Sequence, residues 1–599
     1  MAVKLFSLAD YAVLVALLGA SALIGIFFAW KDRRNADSRL FLVGNRQLQL
    51  IPVTLSMMSN FLSSITILGI PAETFVHGAQ FTVSTFAVAV AIFLAAEVVL
   101  PVFYKMDMIS VNQYLQQRFQ SVLLRKVASC LVIIQMCFFQ GVVLYGPSLA
   151  LGSVTGLPVW LSIVLNGTVC AFYTTIGGIK AVVWTDVLQM VLMISGFLLV
   201  IVKGSLLVGG IAEVFEIAKR EEQLGIFDLS LDFQKTFTFW SVFFGSGIFW
   251  TMGYCINQAM VQRFCGLSTL SRARQALYLN MAGVIMTMLM SCFSGLVLYA
   301  VYYKCDPLKT SRIRKYDQLM PLLITDTFHH VPGVSGLFVA AVYSSSLSTM
   351  SSGFNALAAL TWEDFLKAKI RMSPSRSLLF TKAIAAFYGF VTMAIAFMAG
   401  SLTSILQAAA TTTGAFNGAL GAIFFIGLAF PWCGKKTALA SLIAGLTTSL
   451  WVAAGTLIYP TMPPVPRTTV VGCTYNFTVT EAVPKRYASG GIIELYHISY
   501  LWVPVISFVV TSFSAIAVTV MTGLRSANPE PELVTPCMRG LYKRSSKKAT
   551  STESADMVQK SSHRDTTKEL QNGYSNCTPT ENEPENNSET LSTNVSTYL

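Results

Sequence analysis

The sequence predicts an all-α polytopic membrane protein with about thirteen transmembrane helices. Three observations carry that prediction. Of 599 residues, 54% are hydrophobic and only 12% are charged. The mean hydropathy is +0.59. Apolar runs long enough to cross a bilayer recur along most of the chain. A soluble domain carries roughly a quarter of its residues as Asp, Glu, Lys and Arg, so this chain cannot coat a water-facing surface of its own size. The net charge of +12 does not point to nucleic acid, because membrane topology itself gathers basic residues on one side. The eleven cysteines show no CxxC pair and no metal-ligand spacing. Most of them, such as Cys130, Cys137, Cys170, Cys255 and Cys292, fall in apolar runs where a thiol packs as a small hydrophobe.

A hydrocarbon core about 30 Å thick takes about 20 apolar residues per helix. On that rule the spans are 8–30, 50–76, 80–104, 125–151, 158–178, 183–207, 238–262, 276–303, 335–361, 378–400, 402–430, 437–458 and 499–523. The first is too long for the apolar region of a secretory signal, and no small-residue cleavage site follows it. Its cationic flank (Lys31, Arg33, Arg34, Arg39) comes after the apolar run, which places the N-terminus outside. Alternation from there puts Lys105, Arg118, Lys180, Arg263, Arg272, Arg274, Lys367, Lys369, Arg371, Lys435 and Lys436 inside. The short loops 77–79 and 152–157, expected outside, carry no Lys or Arg. That asymmetry gives an N-out, C-in topology.

Asn476-Phe-Thr478 is a glycosylation sequon in the outside loop before the last span. Cys305 and Cys473 are the two cysteines in outside loops. They are a candidate disulfide, with two free thiols as the alternative. Residues 525–599 are rich in Ser, Thr, Asn, Glu and Lys and are expected to be a disordered cytoplasmic tail following a membrane domain over 1–524. The sequons at Asn576, Asn586 and Asn594 would be idle there. The chain ends Ser596-Thr597-Tyr598-Leu599, and a Thr two before a C-terminal Leu suits a PDZ groove.

Polar groups inside a span are costly unless used or paired. In the ninth span Ser345, Ser348, Thr349 and Ser352 share one helix face. Hydroxyl oxygens suit a hard cation such as Na⁺, and small residues also suit close helix packing. In the second span Ser56, Ser59 or Asn60, and Ser63 form another stripe, with Thr66, Gly69 and Pro71 weakening the helix beyond it. Transporters use broken helices to coordinate cations through unwound carbonyls, and a proline kink is the plainer alternative. Asp186 and Gln189 lie one turn apart in the sixth span, and Asn257, Gln258, Gln262 and Arg263 follow in the seventh. Asp186 serves either a cation or a basic partner, and Glu97 in the third span is open in the same way. All five histidines lie in outside loops or the tail, and no phosphate loop or dinucleotide fingerprint occurs. An ATP-driven pump, an intramembrane metal-dependent hydrolase and other enzymes are therefore disfavoured.

Several ordered motifs resemble the eukaryotic sodium/solute symporter family, in the branch of sodium-coupled monocarboxylate, iodide and multivitamin transporters. They are Ser63-Ser-Ile-Thr-Ile-Leu-Gly-Ile-Pro-Ala-Glu73, Leu100-Pro-Val-Phe-Tyr104, Gly177-Gly-Ile-Lys-Ala-Val-Val-Trp-Thr-Asp-Val-Leu-Gln189, Asn257-Gln-Ala-Met-Val-Gln-Arg263, Asp317-Gln-Leu-Met-Pro321 and Ser346-Leu-Ser-Thr349. The resemblance runs from about residue 8 to 525. It implies a LeuT-like core of two inverted five-helix repeats, about 50–207 and 238–430 here, in a multi-pass protein of the plasma membrane. It also implies a sodium site built from Ser348 and Thr349 side chains and from carbonyls near Ser59, Leu62 and Ser345. A further sodium would involve Ser63, Asp186 and Gln189. The substrate cavity would lie beside Thr66, Tyr145, Trp250, Tyr254 and Asn257. Sodium would be the coupling ion, with no other cofactor.

Three departures bear on the substrate. Phe75-Val76-His77 stands where the branch has an aromatic-Arg pair. Phe416-Asn417-Gly418-Ala419 replaces a Gly-Gly-Pro or Ser-Gly-Pro element, and Arg314-Lys315-Tyr316 replaces Ser-Ala-Pro. The expected activity is sodium-driven import of a small organic anion, a monocarboxylate first. Iodide, a vitamin or a neutral polyol or sugar are the alternatives within the class. A sodium-independent channel or a non-transporting sensor on the same fold are the alternatives outside it.

Overall fold

The computed structural model describes residues 6–31, 41–42, 44–106, 108–328, 330–370, 372–399, 404–459, 466–473, 491, 493–522, 530–536 and 538–539. Among them every regular element is helical and no strand occurs; one isolated bridge pairs Leu48 with Leu267. In chain order the main helices are α1 (Leu8–Lys31), α2 (Leu50–Phe61), α3 (Ile65–His77), α4 (Ala79–Met106), α5 (Gln113–Phe119), α6 (Val122–Thr155), α7 (Val159–Thr175), α8 (Gly178–Val208) and α9 (Ile211–Arg220). They continue with α10 (241–255), α11 (Gln258–Cys265), α12 (Leu270–Tyr302), α13 (Leu319–Phe328), α14 (Val334–Thr361), α15 (Pro374–Ala399), α16 (Ile405–Ala429), α17 (Lys435–Ile458) and α18 (Trp502–Met521).

All thirteen expected spans coincide with helical segments. Among the described residues, nine helices are each long and apolar enough to cross a membrane, and the bent pair α2–α3 makes a tenth. The other three expected spans fall short of that test. The fifth (α7) is short; the seventh is split into α10 and α11 at Ile256–Asn257; and α14 carries the hydroxyl-rich stripe. Large apolar side chains such as Phe387, Phe390, Leu198 and Phe513 point outward, as a lipid-facing surface requires.

Two features set the centre of the bundle. First, α14 is buried along nearly its whole length, from Phe338 to Leu360, and packs against α1, α2, α6, α8 and α15. Second, α7 and α8 meet at a kink at Gly178, whose φ of +64° and ψ of −171° leave the helical region. A Cβ there would meet the Phe41 ring at 2.5 Å, so both the backbone angle and the space call for glycine.

Cys305 is joined to Cys473 with a Cα–Cα separation of 5.0 Å, linking the segment after α12 to the segment after α17. Asp306 supports this junction by accepting from Thr468 Oγ1 at 2.6 Å and from the Tyr316 hydroxyl at 3.1 Å. The expected disordered tail starts too early. Leu533, Val534 and Thr535 are buried, and the compact unit extends to Arg539. Tyr114 Oη donates to Leu533 O at 3.1 Å, and Thr535 N donates to Leu428 O at 3.1 Å. The short run Leu533–Val534 is too small to register as a span, yet it is apolar enough to dock on the end of α16. Asn476 and Thr597–Leu599 lie outside the described residues.

If this docking holds the α5 and α16 ends together, Leu533→Ala should cost about 2 kcal/mol. Thermal unfolding of the purified chain would then show a lower midpoint; an unchanged midpoint would contradict the docking.

Candidate functional site

The helix begun by α2 stops at Phe61, because Leu62 takes φ −78° and ψ 71°. Ser63 N then donates to Phe61 O at 2.9 Å, and Thr66 N donates to Ser63 O at 2.9 Å. In an unbroken helix these amides would reach back four residues, to Ser59 O and Leu62 O. Both carbonyls have thus lost their helical donors. The chain restarts as a wide turn at Ile65–Gly69 and is bent by 58° between the two halves.

The hydroxyl face of α14 lies against this break. Ser59 Oγ and Ser348 Oγ are 2.8 Å apart. Thr349 Oγ1 lies 3.0 Å from Asn60 O and 3.1 Å from Ser345 O. Ser345 Oγ turns back to Val342 O at 2.7 Å, leaving its carbonyl to face Thr349. Of the five residues expected at the first sodium site, Ser59, Ser345, Ser348 and Thr349 meet where the α2 break crosses α14, and Leu62 lies in the break itself. The donor set is entirely oxygen, which fits a hard monovalent cation.

One turn away lies a buried charge network. Asp186 on α8 accepts from Ser348 Oγ at 2.7 Å through Oδ1, and from Ser56 Oγ at 2.5 Å through Oδ2. Arg263 on α11 donates to the same Oδ2 at 3.0 Å, to Ser56 Oγ at 2.7 Å and to Ala259 O at 3.0 Å, and it also reaches Ser352 Oγ. Both side chains are buried. Asp186 thus has a basic partner, one of the two readings open for it. Glu97 likewise pairs, with Arg274 at 3.2 Å and the Tyr278 hydroxyl at 2.9 Å.

The expected second sodium set is less compact. Ser63 is not among the hydrogen-bond partners of Asp186; its Oγ accepts from Ile65 N at 3.3 Å inside the break. Gln189 is buried near Asp186 on the same face of α8, and neither of its amide atoms has a hydrogen-bond partner.

A cavity of about 130 Å³ opens beside the break. Thr66, Trp250 and Asn257 line it, as do Asn60, Phe61, Ser63 and Thr349. Tyr254 stands behind this wall, its ring centroid 4.5 Å from that of Phe61. Tyr145 lies apart from the lining, with the Lys315 ammonium 5.3 Å from its ring centroid. Among the described lining residues none is Asp, Glu, Lys, Arg or His. Asn257 is committed as the cap of α11, accepting from Ala259 N at 3.0 Å and Met260 N at 3.3 Å. Gln258 is committed too, bonding Ile109 O at 2.5 Å and Val111 N at 2.8 Å. The lining groups that retain capacity include Gln140 Oε1 and the Tyr500 hydroxyl, both buried without a partner. Asn417 also lines the cavity, so the departure at 416–419 falls within it. Sequence reasoning missed Gln140 and Tyr500, since single polar residues within apolar runs give no pattern.

The profile of the Sodium:solute symporter family matches residues 41–445. The "Sodium-coupled monocarboxylate transporter 2" of Bos taurus is 39% identical over 541 residues, covering 89% of this chain and 87% of that protein. The "Sodium-coupled monocarboxylate transporter 1" of Homo sapiens is 36% identical, covering 88% and 89%. The "Sodium/iodide cotransporter" of Homo sapiens is 37% identical over 453 residues, covering 75% and 70%. A structure of a Na⁺-coupled sialic acid symporter in a substrate-bound outward-open state shares the fold, with a TM-score of 0.72 at 20% identity over 88% of this chain and all of that one. The family match, its transporter relatives and the shared helical fold define a multi-pass secondary transporter. The chain belongs to the sodium:solute symporter family and couples transport of a small molecule to Na⁺.

Removing one partner of a buried ion pair leaves an uncompensated charge, at a cost of about 3–5 kcal/mol. Arg263→Met should accordingly lower the unfolding midpoint sharply, and adding Asp186→Asn should recover part of the loss. Equal midpoints for Arg263→Met and the unsubstituted protein would show that the pair carries no structural weight.

Proposed function

We propose that this protein imports a small monocarboxylate with sodium across the plasma membrane by alternating access. The observation that carries the reading is the pair of carbonyls at Ser59 and Leu62, deprived of helical donors beside Ser348 and Thr349. Sodium bound there, with Ser345 O as a further ligand, ties the broken second span to α14 and favours one arrangement of the two. A second sodium set comprises Ser63, Asp186 and Gln189, and the buried Gln189 amide is its member without a hydrogen-bond partner. The similarity to sodium-coupled monocarboxylate transporters over most of this chain supports the substrate class.

The cavity chemistry fits a small anion with an apolar body. Phe61, Trp250, Met252 and Met288 supply apolar wall, and Gln140, Asn417 and Tyr500 supply polar groups without full charge. A carboxylate there depends on the amide of Asn417, the phenol of Tyr500 and the sodium itself. Each net positive charge carried inward gains roughly 2.3 kcal/mol per 100 mV of membrane potential.

The rest of the reading is topological. The spans that open the two expected repeats, at 50–76 and 238–262, are the two that are broken, which supports inverted repeats over about 50–207 and 238–430. The N-terminus is outside, Asn476 is glycosylated, and the last three residues, Thr597–Leu599, offer a PDZ ligand from the cytoplasm.

Radiolabelled lactate uptake in sodium and in choline medium tests the function. Accumulation against a gradient in sodium alone is expected. Sodium-independent equilibration would mean a facilitator; sodium-driven uptake of iodide, vitamins or polyols without lactate would overturn the substrate class.

A further inference from the structure

Two carboxylates from different elements converge on the start of α16. Ser404 Oγ donates to Glu73 Oε1 at 2.6 Å. The backbone N–H of Ile405 donates to Asp317 Oδ2 at 3.4 Å. Glu73 belongs to α3, and Asp317 to the connector 316–318 that leads into α13. Both are buried, with 8% and 3% of their surface exposed, and Asp317 Oδ1 has no hydrogen-bond partner. An ionised carboxylate buried with one oxygen unpaired is unfavourable. A proton would remove the charge and give that oxygen a donor to offer.

The neighbouring groups fix the sign of the effect. From α3, His77 Nδ1 lies 3.2 Å from Glu73 Oε2. From α6, Tyr145 faces Asp317. From the start of α18, Tyr500 faces Glu73. The connector itself brings Lys315, and the first turn of α13 (Leu319, Met320, Pro321) brings no titratable group. Burial first, and the Glu73 charge second, push the Asp317 carboxyl up to about 7; the Ile405 N–H and Lys315 oppose this only in part. A carboxyl raised in the folded state above its unfolded value of about 3.9 binds more proton when folded. Its contribution to stability is present at low pH and is lost as pH rises through about 7.

We propose that Asp317, buried beside Glu73, forms a proton-binding site at the outer end of the transporter, and that its occupancy fastens α3 and the connector to the start of α16. Both α3 and α16 also line the cavity, through Thr66 and Ile70 on one and Leu406 and Ala410 on the other. With the proton bound, a single negative charge faces the positive N-terminal end of α16. With it lost, two like charges meet at that end and the outer wall loosens. The outward placement rests on the N-out topology proposed above, whereas the proton site itself does not.

The test uses the purified full-length chain in detergent at fixed NaCl, with unfolding midpoints measured from pH 5.5 to 8.5. The midpoint should fall from pH 5.5 to about 7 and level off above that, and Asp317→Asn should abolish that fall. Glu73→Gln should retain the fall but displace it to lower pH by at least about half a unit, because one raising charge is gone. No fall in the unsubstituted protein, or a fall that survives Asp317→Asn, would overturn the site. Should Asp317→Asn fail to fold, the displacement in Glu73→Gln decides alone, and an undisplaced fall overturns it. A second arm measures sodium-driven lactate uptake at external pH 6 and 8. A pH response lost in Asp317→Asn supports the control of the outer wall, and a response unchanged in it overturns that control. Absence of lactate uptake at every pH would count against the substrate reading and leave the unfolding result to judge the proton site.

Discussion

Lipid offers no hydrogen bonds, so a backbone group that leaves its helix inside a membrane must find a partner within the protein. The break after Phe61 violates this rule at Ser59 O and Leu62 O, and the surrounding architecture answers that violation. The seryl and threonyl face of α14 is brought against the gap, α14 is enclosed by helices on every side, and Thr349 takes up Asn60 O. What remains is a nest of oxygens that the proposed sodium would satisfy. Coupling would then have a physical form: the ion completing the second span would also join it to α14.

The Asp186–Arg263 pair acts on the same node from the other side. Ser348 donates to Asp186 while touching Ser59, so the charge network and the sodium nest share a hydroxyl. Ser56 is shared likewise, between Asp186 and Arg263. Any movement of α11 relative to α8 must therefore pull on the residues that would hold sodium. A pair buried this deeply is weak evidence of stability for its own sake, since desolvation offsets much of its attraction. Its value here lies in linking four helices, α2, α8, α11 and α14, at one site.

Much of this was legible in the sequence because length and apolarity are local properties. Nine membrane-spanning helices and the bent pair α2–α3 could be placed from them among the described residues, and the serine spacing on α14 showed one face. The break was legible only roughly. Thr66, Gly69 and Pro71 suggested weakness, but the chain leaves the helix earlier, at Leu62, and Pro71 sits comfortably in the first turn after the wide turn at 65–69. Leu62 has no helix-breaking character of its own, so tertiary packing fixes the position. Pairings between distant spans were not legible either. Arg263 could be seen as buried or interfacial, but its partner 77 residues away could not be chosen by spacing. Asp317 belonged to a recognisable motif, yet its convergence with Glu73 on Ser404 and Ile405 depends on three elements meeting. The docking of residues 533–535 was missed because two buried apolar side chains are enough to dock a segment that reads as polar.

The central claim is that sodium completes the broken helix against α14, and binding alone tests it without any assumption about the transported solute. Unfolding of the purified protein should be followed as NaCl replaces choline chloride at constant ionic strength. Stabilisation should rise with sodium, approaching about 2.7 kcal/mol when sodium is a hundredfold above its Kd, and should vanish in Ser348→Ala/Thr349→Ala. A sodium-dependent rise of the same size in that double variant, or an equal rise with choline, would contradict the account.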